Sequence, residues 1–107
     1  MKLLFSLLLT VSLLSAGTVT LAWEDTKNPD TTTYSIYRAN GPCNSGVVPV
    51  KLVSGIATKT YDDLNVPQGS YCYYVTAVYN ASESAPSNAA NAVVPLVSPA
   101  ALSVTVK

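Results

Sequence analysis

Apolar positions in this chain alternate in short runs instead of recurring every three or four residues. Beyond the first seventeen residues the pattern therefore predicts strands and no helix. Residues 18–23 put Val19, Leu21 and Trp23 on one strand face. Residues 24–31, with Asn28-Pro29-Asp30, make a turn, and residues 33–38 place Tyr34 and Ile36 together. Residues 39–49 are rich in Gly, Pro, Asn and Ser and predict a loop. A short strand over 50–53 ends at Gly55, and another over 58–61 is closed by Asp62-Asp63. Residues 64–70 turn around Pro67-Gln68-Gly69. Residues 71–79 form the longest strand, with Tyr71, Tyr73, Val75 and Ala77 on one face. A loop over 80–86 leads to a strand over 88–94. About seven short strands with frequent turns predict an all-β antiparallel sandwich. Its core is expected to hold Trp23, Tyr34, Ile36, Tyr71, Tyr73 and Val75.

Residues 1–17 read as an export signal. Lys2 gives a positive start, residues 3–14 are apolar apart from Ser6, Thr10 and Ser12, and Ser15 and Gly17 stand at a signal-peptidase spacing. The run is too short to span a bilayer of about 30 Å as a helix, and a buried strand or core helix is the competing reading. The expected organisation is a leader over 1–17, a sandwich over 18–95, and a C-terminal linker and strand over 96–107.

Export gives the two cysteines a meaning. In an oxidising compartment Cys43 and Cys72 are expected to pair, and the closed loop contributes roughly 3–4 kcal/mol on a chain-entropy argument. With no histidine and no Cys-x-x-Cys, zinc and redox chemistry lack ligands. Charge changes little: charged residues are 11% of the 107, and the formal net charge is zero. That leaves no electrostatic footprint for nucleic acid, or for a membrane once the leader is removed.

The ordered residues resemble a fibronectin type III domain. Val19-x-Leu21-x-Trp23 and Tyr34-x-Ile36-Tyr37-Arg38 look like its strands B and C. Residues 64–78, through Pro67, Gly69, Tyr71 and Val75-Thr76-Ala77-Val78, look like its E–F turn and strand F. Ser84-Ala85-Pro86-Ser87-Asn88 looks like the approach to strand G. The resemblance covers about residues 18–95 and implies an Ig-like sandwich. Trp23 would be its core indole, and Tyr71 its tyrosine corner, bonded back to the preceding turn. It also implies that strands C and F are antiparallel neighbours. Cys43, just past C, then meets Cys72 at the start of F, with Cys72 outward as a surface staple. The usual family pattern has no such pair.

The chain departs from the family at both ends. Strand A, normally well before the strand-B tryptophan, is missing if cleavage falls at residue 17, which leaves the strand-B edge of Val19 and Leu21 open. Residues 99–106 look like a family strand A placed behind strand G, with Leu102, Val104 and Val106 on one face. To fold back in cis, the seven-residue link over 95–101 would span at most about 23–25 Å and retrace a strand of about 17–20 Å. Insertion into a second copy needs no reversal, and a head-to-tail contact that does not close makes a filament. The leading expectation is a secreted, self-assembling subunit with Leu102, Val104 and Val106 as its assembly strand. A cis edge strand or a mere chain boundary are the other readings of the tail.

A monomeric extracellular binding or adhesion module is the alternative, for a polysaccharide or protein surface. Tyr37, Tyr74 and Tyr79 would lie outward on the C–F sheet, although exposed strand tyrosines are commonly cross-strand partners. Residues 80–86 carry no Arg-Gly-Asp, while Asn80-Ala81-Ser82 fits an N-glycosylation acceptor. Catalysis has little to stand on, because the carboxylates of Glu24, Asp25, Asp30, Asp62, Asp63 and Glu83 are expected in turns. No phosphate-binding loop or metal-ligand cluster is apparent, and a calcium site at Asp62-Asp63 would be short of oxygens. No cofactor is expected.

Overall fold

β-branched and aromatic residues at alternate positions favour pleated backbone with one buried face, and residues 16–94 are built mainly of such strands. The computed structural model describes residues 2–8 and 16–107, with side chains from residue 17 onward. Among these there is no helix. The strands are β1 (Lys2–Leu8), β2 (Ala16–Glu24), β3 (Thr33–Asn40), β4 (Val50–Ile56), β5 (Thr60–Pro67), β6 (Gly69–Tyr79), β7 (Ser82–Glu83) and β8 (Ala90–Val94). Setting aside the two-residue β7, seven strands make two antiparallel sheets. One sheet has the order β1-β2-β5. The other runs β4-β3-β6, with β7 and β8 both pairing β6.

The core lies between the sheets. Val19, Leu21 and Trp23 of β2 meet Tyr34 and Ile36 of β3, Tyr71, Tyr73, Val75 and Ala77 of β6, Val66 of β5, and Ala92 and Val94 of β8. Trp23 and Tyr34 pack edge to face at 5.3 Å between ring centroids, a favoured aromatic geometry. Filling a site of this size is worth several kcal/mol, so Trp23→Ala would cost about 3–5 kcal/mol.

Several boundaries differ from the sequence reading. β4 continues past Gly55, whose φ of 73° keeps the strand going through a left-handed residue. β5 runs straight through Asp62-Asp63 instead of stopping there. Asn65, at φ 55°, accompanies an extra residue in β5, because Gly17 faces Val66 while Val19 faces Asp63. This bulge resets the alternation, so Asp63 and Val66 both turn inward. The turn before β6 shrinks to Gln68. The loop over 80–86 also carries the short strand β7, opposite Val78 and Tyr79.

Pro86 lacks an amide and lifts the chain off β6, but serines close the gap. Ser84 donates its amide to the Ala77 carbonyl at 2.8 Å, and its hydroxyl accepts from the Ala77 amide at 2.9 Å. Ser87 does the same for Val75, at 2.8 and 3.0 Å. The β6 edge thus stays satisfied between β7 and β8.

Residues 2–8, expected as part of a leader, form β1 along β2. Leu3 stands opposite Trp23, Phe5 opposite Leu21 and Leu7 opposite Val19. In the full chain the β2 edge is therefore paired. β1 also runs beside β8.

Candidate assembly surface

β2 is the strand on which the surface is built. One of its edges is laddered to β5, from Ala16 opposite Pro67 to Ala22 opposite Thr60. Among the described residues the other is laddered to β1 alone. The side chains of Val19 and Leu21 are fully buried in the core, so what this edge offers to any partner is backbone donors and acceptors.

The tail lies at the other end of the chain. Beyond Val94 the residues 95–107 form no strand and pair with none of the described strands. Leu102, Val104 and Val106 are 93%, 80% and 90% exposed. Ala101 takes φ 59°, a kink between the linker and these residues. The chain spans 72 Å in its longest dimension against 27 and 18 Å in the others. The structure thus leaves the apolar strand-like segment free, and does not bring it to Val19 and Leu21 of its own sandwich.

The outer face of the β3–β6 pair carries Tyr37 and Tyr74, whereas Tyr79, expected there too, has the phase of Tyr71, Tyr73 and Ala77 and does not share this face. Tyr37 and Tyr74 are register partners whose rings stack at 4.8 Å. The Tyr37 hydroxyl donates to Glu83 Oε2 at 2.5 Å, and Thr76 Oγ1 donates to the same oxygen at 2.5 Å. The hydrogen bond to Glu83 pushes the Tyr37 phenol up to about 12, and Glu83 is held below the usual carboxylate range by its bonds from Thr76 and Tyr37. Lys51 Nζ lies 5.8 Å from the Tyr37 ring centroid. Tyr79 is exposed at the end of β6. Two of the three tyrosines are thus engaged with each other.

At one pole Cys43 and Cys72 form a disulfide across a sequence separation of 29, with Cα atoms 4.9 Å apart. Cys72 points away from the core but is only 5% exposed, so it is no surface position. The loop holding Cys43 folds over it, and the Cys43 amide donates to Asn91 Oδ1 of β8 at 2.7 Å. Nearby, the Tyr71 hydroxyl donates to the Pro67 carbonyl at 2.7 Å, closing the turn between β5 and β6.

Of the carboxylates expected in turns, Asp62 and Asp63 lie on β5, Glu83 lies on β7 and Glu24 ends β2, whereas Asp25 lies in the turn expected for it. Arg38, on the inward face of β3, reaches Asp63 of β5 at 2.7 Å, and the buried Tyr73 hydroxyl donates to the same Oδ2 at 2.7 Å. Burial and the Asp63 carboxylate push the Tyr73 phenol well above its ordinary value. Asp62 is exposed while Asp63 turns inward to Arg38, so the two do not face one ion. Among the described residues no three His, Cys, Asp or Glu side chains gather as metal ligands. At the opposite pole Asp25 accepts from Asn28 Nδ2 at 2.7 Å, the Tyr34 hydroxyl at 2.8 Å and the amides of Lys27 and Asn28 at 3.2 Å. Burial raises its affinity for a proton, but these four donors outweigh it and hold the carboxyl at about 2. Both carboxylates tie the frame together. An alternating pattern could not reveal them, because Asp63 depends on a bulge and Asp25 on a turn.

No protein-family model and no curated protein matches the chain. Among solved structures it is similar to an Fn3-like protein from Clostridium thermocellum, with 27% identity and a TM-score of 0.61 over 81% of this chain and 83% of that one. It is also similar to a fourth FNIII domain from human, with 20% identity and a TM-score of 0.61 over 91% of this chain and 79% of that one. The second likeness concerns the fold alone. Strand order, a tyrosine bonded back to its turn, and these likenesses agree: the chain is a fibronectin type III-like β-sandwich.

Proposed function

We propose that this protein is a secreted structural subunit that assembles head to tail by strand donation, with no catalytic role. The disulfide and the fold fit an extracellular domain. One observation carries the reading. Among the described residues the outer edge of β2 is covered only by ones that read as an export leader, while an apolar segment of the same spacing lies unpaired at the other end. Removing residues 1–17 strips β1 and exposes the backbone of β2. Residues 102–106 of a second copy then supply ladder hydrogen bonds and three apolar side chains at alternate positions. Because donor and acceptor are different surfaces of one chain, the contact is head to tail, and repeated without closing into a ring it gives a filament.

The binding-module alternative has less support. Tyr37 and Tyr74 stack on each other and Tyr37 is tied to Glu83, which is the cross-strand role of such residues. Light scattering on protein recovered from the medium tests the proposal. The secreted chain should run as oligomers, and a chain lacking residues 99–107 should run as a monomer. Equal oligomers from both would defeat it.

A further inference from the structure

The register of β1 says more about the surface than that it is an edge. Leu3, Phe5 and Leu7 occupy successive alternate positions opposite Trp23, Leu21 and Val19. Leu102, Val104 and Val106 have the same spacing and stand almost wholly in solvent. A strand in this position is flanked by β2, to which it is laddered, and by β8, beside which it runs. Facing it, residues 18–23 carry no charge, and the tail carries only Lys107 at its end, so nothing repels a second apolar strand.

We infer, resting on the strand-donation reading, that residues 2–8 and residues 102–106 are alternative occupants of this one slot, so that the full chain is capped against assembly by its own N-terminal strand. The physical reason is tethering. β1 is joined to β2 through residues 9–15, and a short connection holds it at an effective concentration in the millimolar range. A tail from another molecule, at far lower concentration, loses that competition. Once the connection is cut, β1 becomes an ordinary peptide and exchanges with the tail. In this register Leu102 takes the place of Leu3, Val104 that of Phe5 and Val106 that of Leu7, antiparallel to β2.

The test starts from the intact full chain carrying a site for a specific protease within residues 9–15. It is cut in the folded state, with mass by light scattering and release of the N-terminal peptide by mass spectrometry as separate readouts. The intact chain should remain monomeric. After cutting, in the presence of excess synthetic peptide of residues 99–107, the N-terminal peptide should be displaced. Without added peptide, the mass should rise to about double the monomer or more. An intact chain that assembles as extensively as the cut one overturns the inference, and so does a cut chain that keeps its N-terminal peptide against the excess. A cut chain that exchanges its peptide yet stays monomeric when none is added supports the shared slot and overturns the filament reading instead. Val104→Asp in the cut chain separates them again: assembly that persists means the donor is not this segment.

Discussion

Arg38 and Asp63 join the two sheets through a 2.7 Å ion pair at one pole of the core, and Tyr73 donates to the same carboxylate oxygen. The Arg38 guanidinium carbon also lies 5.6 Å from the centroid of the Tyr71 ring, so its head is held by a ring face as well as by charge.

Arg38→Met should therefore be markedly destabilising, because it leaves Asp63 buried without its cation. The expected loss is about 2–4 kcal/mol, less than for a fully enclosed pair since Arg38 is partly exposed. Tyr73→Phe should cost about 1.5–3 kcal/mol by removing a hydrogen bond to a charged group. Urea unfolding of both single variants and the double variant should give less than the sum, as partners on one carboxylate are coupled. Additive losses would mean that the three groups act separately.

Acid should loosen the opposite pole. Asp25 titrates at about 2 in the folded chain against an ordinary 3.8. Its folded value is depressed, so its contribution is present above the ordinary value and is lost as the pH falls toward 2. Once solvent screening is allowed for, that contribution is on the order of 1 kcal/mol. In Asp25→Asn the acid limb of the stability–pH curve should flatten across this window. A limb as steep as in the parent would remove Asp25 from the account.

Ser84 and Ser87 should each matter through a hydroxyl. Ser84→Ala leaves the Ala77 amide without its acceptor, and Ser87→Ala does so for Val75. Each should cost about 1 kcal/mol and should speed hydrogen exchange at that one amide. Unchanged exchange at Ala77 or Val75 would show that water replaces the serine.

Much of this frame is legible in the sequence because β2, β3 and β6 alternate without interruption. Val19, Leu21 and Trp23, or Tyr71, Tyr73 and Val75, could hardly face anywhere but inward. Legibility fails where one residue shifts the phase. The left-handed Asn65 carries β5 through Asp62-Asp63, which local chemistry reads as a turn. Arg38 shares a face with Tyr34 and Ile36, yet its partner lies 25 residues away on a strand whose phase the bulge sets. Cys72 has the outward phase that alternation gives it, but its burial depends on where the Cys43 loop folds. Residues 3–8 are ambiguous for a deeper reason. An apolar run suits a leader and a strand equally, and only the register with β2 reveals the slot it fills. The tail spacing was readable, whereas its freedom from the sandwich was not.

Strand donation is tested most directly by asking whether the tail of one molecule touches β2 of another. The register of β1 sets Leu4 opposite Ala22, the position Ser103 would take in the donated strand. Both native cysteines are paired, so new thiols stand alone. Secreted Ala22→Cys and Ser103→Cys chains, mixed and oxidised, should give a disulfide-linked heterodimer that neither gives alone. No heterodimer, with both variants folded, would contradict the account.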